Sequence, residues 1–167
     1  RVIDMALDTT VGGANSDSYA SVTEADTYHA AYGNTAWAAI STSALKEAAL
    51  RKAAQYIDTK AFVGIKTTSA QALEWPRYNV IVDGYDVLSN AIPNDIKVAQ
   101  MEAALIASSE SLTPNLSNGS VIEETVGKIT KRYSDYTKDG GKKWPLVDKL
   151  LRGYTNGGGN FHRVNRV

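Results

Sequence analysis

The stretch "SALKEAALRKAAQYIDTKAF", starting at Ser43, constrains the fold most. It is dense in strong helix formers, and its apolar residues recur three or four apart: Leu45, Ala49, Ala53 and Tyr56 on one line, Leu50, Ile57 and Ala61 beside it. This spacing predicts a helix over residues 43–62 with most of one face turned to a core. A second segment of the same kind, "IPNDIKVAQMEAALIASSESL", predicts a helix over 93–112, with Pro93 in a first-turn position and Asp95 near the positive end of the dipole. Its apolar positions (Ile96, Ala99, Ala103 and Ile106, with Val98, Met101 and Leu105) cover more than half of the circumference. Such a stripe implies packing on two sides. In a chain of 167 residues, two helices of this kind point to one mostly helical α+β domain of ordinary size.

The remaining segments are shorter. Residues 6–20 are rich in Gly, Ser, Thr, Asn and Asp, so 1–20 are expected to be an extended or turn-rich lead-in. Ser21 with Glu24 three residues on makes a capping box, which with Gly33 as a stop predicts a helix over about 22–32. Asp83-Gly84 between "VIV" and "YDV" predicts a hairpin. "VIEETVGKITKRYS" reads as one long strand bent or bulged at Gly127, and "WPLVDKLLRGY" as a closing helix with Pro145 near its start and Gly153 behind it. The folded body would thus span 21–153, leaving 154–167 as a C-terminal arm hinged at Gly157–Gly159.

"QALEWPR", residues 71–77, reads as the end of a short helix followed by a turn. Pro76 forces the preceding residues out of helical geometry, so Trp75 is expected to cap the core where the chain reverses. Two placements of Arg77 are open: inward across the indole, or outward against a neighbouring subunit.

Several chemistries find no support. With no cysteine, disulfides, thiolate metal sites and thiol nucleophiles are excluded. His29 and His162 share no metal-ligand spacing, no Gly-x-Ser-x-Gly elbow is present, and Glu123 and Glu124 would point to opposite faces of a strand. The expectation is a protein without catalysis, cofactor or metal, with His29 a helix-surface or satisfied core residue. No apolar window of about eighteen residues and no apolar N-terminal stretch occurs, so neither a membrane span nor a signal peptide is expected, and the chain would be made in the cytoplasm.

The formal net charge is +0, from 18 basic and 18 acidic residues, which weighs against a protein that wraps nucleic acid electrostatically. The distribution is uneven. Asp4, Asp8, Asp17, Glu24 and Asp26 face only Arg1 in the first 35 residues, while Arg152, Arg163 and Arg166 meet no acid after residue 151. A chain so polarised suits head-to-tail association or docking of the arm on an acidic partner.

Taken in order, "GGANSDSYASVTEADTYHAAYG", "TAWAAIS", "KEAALRKAAQYID", "QALEWPRYNV" and "AIPNDIKVAQMEAALIA" resemble a tailed-bacteriophage family labelled DnaT-like single-stranded DNA-binding protein. "VIEETVGKITKRYSDY" and "PLVDKLLRGYTNGGGNFHRVNRV" are similar to the strand, closing helix and tail of phage head-to-tail connector proteins. The resemblance implies a neck component of the virion: a ring of about twelve subunits that docks on the portal protein, meets a downstream neck or tail-completion protein, and passes double-stranded DNA without sequence specificity. It implies a helical bundle with an inserted hairpin and an arm that reaches the portal, with Arg152, Tyr154, Phe161, Arg163, Val164 and Arg166 at the interface. Lys128, Lys131, Arg132, Lys142 and Lys143 would line the channel. The alternative, from the label itself, is a single-strand binder acting in replication. Such binders combine a basic groove with exposed aromatics, whereas here the charge is balanced and the aromatics mostly keep helical core spacing.

Overall fold

The computed structural model of the chain describes residues 6–113, 123–126, 129–131 and 144–156. The described residues are mostly helical, with short antiparallel strand pairs, as an α+β chain of mainly α type. The helices are α1 (Val22–Ala31), α2 (Thr35–Ala38), α3 (Ser43–Asp58), α4 (Asn94–Ala107) and α5 (Pro145–Leu151), the last running into a 3-10 turn at Arg152–Tyr154. The strands pair as β1 (Ile65–Lys66) with β2 (Arg77–Tyr78), β3 (Ile81–Val82) with β4 (Tyr85–Asp86), and β5 (Glu123–Val126) with β6 (Ile129–Lys131).

Local chemistry sets the helix ends. At α1 the capping box is complete: the Glu24 amide donates to Ser21 Oγ at 3.2 Å and the Ser21 amide to Glu24 Oε2 at 2.8 Å, and Gly33 follows at φ +68°. Helix α3 stops at Asp58, four residues short of the spacing-based expectation, because residues 61–63 are recruited into pairing with 154–156. The Val63 amide donates to the Tyr154 carbonyl at 2.9 Å and the Asn156 amide to the Ala61 carbonyl at 2.7 Å. Helix α4 ends at Ala107, not 112, where Ser108 and Ser109 turn their hydroxyls onto the carbonyls of Leu105 and Ile106 and so compete with the helical ladder.

Helices α3 and α4 pack on each other, and the core they contribute is rich in alanine: Ala49, Ala53 and Ala54 from α3 and Ala99, Ala103 and Ala104 from α4, with Leu50, Ile57 and Ile96, all nearly or fully excluded from solvent. Small side chains let the helix backbones approach closely, and each large one buried contributes roughly 1.5–3 kcal/mol. Helix α5 closes over α4 through Val147 and Leu151.

A single amide ties the N-terminal segment to this pair. Gln100 is fully buried; its Oε1 accepts from the amides of Tyr19 (3.0 Å) and Ala20 (2.9 Å), and its Nε2 donates to Ser18 Oγ (2.6 Å) and the Leu50 carbonyl (2.9 Å). Every hydrogen-bonding position of the side chain is thereby filled. Residues 18–20 belong to the core, and the segment expected as a lead-in is built into the body at that point.

Two sequence expectations are corrected by backbone pairing. The segment around Gly127 is not one bent strand: β5 and β6 are antiparallel, with Val126 opposite Ile129, and the irregularity lies at Glu123/Glu124, which both face Lys131. Residues 71–74 form no helix; they are bends whose amides are taken up elsewhere, Ala72 on the Gly13 carbonyl and Glu74 on Asp58 Oδ2. The Asp83-Gly84 hairpin is present, with φ of 53° and 87° at its two turn residues, the positive pair that a two-residue turn of this hand requires.

Candidate nucleic-acid interface

The Trp75-Pro76-Arg77 turn is internal. The Trp75–Pro76 peptide is cis, and the indole, 1% exposed, meets Phe62 and Tyr154 edge to face at centroid distances of 5.7 and 5.5 Å. No face of it is open for a base. Arg77, 8% exposed, points inward but not across the indole. Its Nε donates to the Val63 carbonyl (2.8 Å), Nη2 to the Gly64 carbonyl (2.8 Å), and Nη1 to the Glu74 carbonyl (3.2 Å) and Glu74 Oε2 (2.7 Å). The guanidinium fork thus pins the 63–64 turn to the 74–77 turn.

Of the residues expected at an interface, Tyr154 is corrected. It is 7% exposed, its hydroxyl donates to Asp95 Oδ2 at 3.0 Å, and burial, with the Asp95 hydrogen bond, pushes its pKa up to about 12. It is a core residue because pairing with residues 61–63 turns it inward, so the body runs to at least Asn156. Arg152 is exposed at the end of α5. Lys131 contributes its backbone to β6. Phe161, Arg163, Val164, Arg166, Lys128, Arg132, Lys142 and Lys143 lie outside the described residues, as do Gly157–Gly159.

A different basic surface is assembled by α3. Lys52 and Tyr56 are one turn apart on α3, and Lys60 follows just past its end at Asp58. Lys60 Nζ donates to Tyr56 Oη at 2.9 Å, stands 4.4 Å from the ring centroid, and pairs with Asp148 Oδ1 of α5 at 3.2 Å. Burial opposes the charge, but the Tyr56 hydroxyl and the Asp148 carboxylate outweigh it and raise the Lys60 pKa. The ammonium is therefore held in one place.

Two hollows flank this row. One, of about 560 Å³, lies between α3 (Lys52, Gln55, Tyr56) and the segment that follows α4 (Ser108, Ser109, Glu110, Ser111). The other, of about 460 Å³, is lined by Lys60, Lys149 and Arg152 with Asp148. Four cations therefore stand beside polar, concave surface. Sequence reading treated Tyr56 as core only; the four-residue spacing of Lys52, Tyr56 and Lys60 was the available signal, and the contribution of α5 was not legible without the fold.

Two buried polar centres lie elsewhere. His29, 1% exposed, is a satisfied core residue: Nε2 is 3.1 Å from the Met101 carbonyl, which only an Nε2–H can satisfy, and Nδ1 accepts from Asn34 Nδ2 at 3.0 Å. Burial lowers its pKa and keeps it neutral. Asp58 accepts the Tyr19 hydroxyl, and burial raises its pKa to about 6. Among the described residues no group of three or more His, Asp or Glu could hold a metal ion, and no helix is long and apolar enough to cross a membrane.

The fold and this surface define a mainly helical α+β chain with a basic, polar concavity on one side. By sequence it belongs to the family described as "Putative DnaT-like ssDNA binding protein", which matches residues 3–167. No curated protein and no solved structure matches the chain.

Proposed function

We propose that the protein binds single-stranded DNA without sequence preference and without catalysis, along the α3–α5 side. The observation that carries this is Lys60, held by Tyr56 and Asp148 beside Lys149 and Arg152, next to a hollow lined by Lys52, Gln55 and serines. The cations would contact phosphates, and the hollow of about 560 Å³ has room for an unpaired base, which a duplex cannot insert. The family description supports the same reading. Zero net charge does not oppose it, because binding depends on the local field and not on the sum.

Fluorescence anisotropy of a labelled oligothymidylate across a salt series tests it. About four phosphate contacts would give a log–log salt slope near −3, and Lys52→Gln with Lys60→Gln would reduce it by about 1.4. Absence of binding at low salt, or binding unchanged in the double variant, refutes it.

One observation favours a second reading, the ring-forming adaptor of a phage neck. Ile65, Tyr78, Ile81, Tyr85 and Leu88, all on or beside the small strand pairs, are exposed, and so large an apolar set suits a protein–protein contact. Here the partners would be a portal protein and a neck or tail-completion protein, with the protein located in the virion. Electron microscopy of a mixture with the portal protein tests it: a closed ring on the portal is the expected image, and no association refutes it.

A further inference from the structure

We infer that the β3–β4 hairpin is the docking site for residues 161–167 of a second copy of this chain, which would add to it as a strand. The inference does not depend on single-strand binding; it shares the exposed Ile81 and Leu88 with the adaptor reading. In the hairpin Ile81 stands opposite Asp86, and Val82 opposite Tyr85. Opposed residues share a face, so the pair has two distinct sides. Val82 turns toward the body, where its Cγ1 lies 3.0 Å from the point at which Gly153 would carry a Cβ. The other side carries Ile81 and Asp86, and strand alternation brings Leu88 onto it; Ile81 is 63% and Leu88 70% exposed. It is an apolar–acidic–apolar surface on a two-stranded pair. Among the described residues, β3 and β4 have no other strand partner.

The occupant follows from the sequence outside the described residues. In "FHRVNRV" alternate positions give Phe161, Arg163, Asn165 and Val167 on one side of an extended strand. Arg163 carries the charge opposite to that of Asp86, and Phe161 and Val167 offer apolar contacts to Ile81 and Leu88. An edge of an exposed two-stranded sheet accepts such a strand through main-chain hydrogen bonds, with side chains setting the choice of partner.

A second copy, and not the chain's own end, is the source. Residues 154–156 run antiparallel to 61–63, from the Tyr154–Val63 bond to the Asn156–Ala61 bond, so the chain travels away from Gly153 and the hairpin beside it. The eleven residues that follow Asn156 can extend about 36 Å from that point. That is enough to reach a neighbouring body.

Sedimentation velocity of the full chain over a concentration series tests this. Self-association with a Kd in the tens of micromolar is expected. Asp86→Arg should weaken it at least about fivefold, Arg163→Asp should do the same, and the two together should restore it to within about twofold, since reversal recreates the pair. A synthetic peptide of residues 157–167 should compete with the wild-type association. A chain that stays monomeric at several hundred micromolar overturns the inference. So does association that ignores Asp86→Arg, or single losses that the double reversal does not repair.

Discussion

Replacing Gln100 by leucine isolates what one buried amide contributes. Leucine has nearly the same volume, so packing between α3 and α4 is kept, while all four hydrogen bonds of the amide are lost. The Tyr19 and Ala20 amides, in residues that are 1% and 0% exposed, are left without an acceptor. Each costs about 1–3 kcal/mol, partly offset because leucine need not itself be desolvated. A net loss of about 3 kcal/mol follows, which in a chain of this length lowers Tm by about 6–12 °C. Urea unfolding measures the first quantity. Hydrogen exchange at the two amides measures a more specific one, and about 100-fold faster exchange corresponds to the same energy. Gln100→Glu keeps the acceptor but loses both donors, placing an oxygen against the Leu50 carbonyl, and should be no better. A Gln100→Leu protein within about 1 kcal/mol of wild type, with both amides still protected, would refute the pinning role of Gln100.

Two further perturbations probe other parts of the body. The Asp58 carboxyl, lifted from 3.8 to about 6 chiefly by burial, holds its proton more tightly in the folded state than in the unfolded one. Its contribution to stability is therefore fully present below about pH 4 and lost as pH rises through 6. Urea midpoints should show wild type losing up to about 3 kcal/mol against Asp58→Asn over that window and nothing further above it; parallel curves would contradict the assignment. Gly64 has φ of +72°, and a methyl there would strike the Tyr78 carbonyl and lie 2.6 Å from Val80 Cγ2. Gly64→Ala should cost more than about 3 kcal/mol by the same measurement, and a loss under about 1 kcal/mol would show that the turn can move.

The elements legible in the sequence were those whose signals are local and unopposed. Ser21 and Glu24 specify their capping box within four residues, Asp83-Gly84 specifies its turn within two, and alanine-rich stripes at helical spacing mark α3 and α4 whatever surrounds them. Where the sequence misled, a distant partner intervened. The helical pattern through Ala61 and Phe62 is sound, but residues 154–156 offer those backbone groups a strand to pair with, and a segment in two minds locally follows the tertiary contact. "QALE" has helix-forming residues and no helix, because its amides are claimed by Gly13 and Asp58. Neither claim is visible from residues 71–74 themselves.

The same distinction explains the candidate site. Two placements of Arg77 stayed open, inward across the indole or outward, and neither included the four oxygens of residues 63, 64 and 74 that receive it, a set that exists only after two turns have met. Tyr154 was assigned to an arm because glycines follow it, yet its ring completes the Trp75 cluster. Conversely, Lys60 was unremarked in a helix full of charged residues. It becomes a fixed cation because Tyr56 lies one turn before it and Asp148 arrives from the far end of the chain. Charge balance over the whole sequence hides such a cluster, since acids such as Asp17, Asp26 and Glu74 are paired with Arg51, Lys46 and Arg77 away from it. A neutral chain can thus carry a local positive surface, and for a ligand with evenly spaced phosphates the local surface decides.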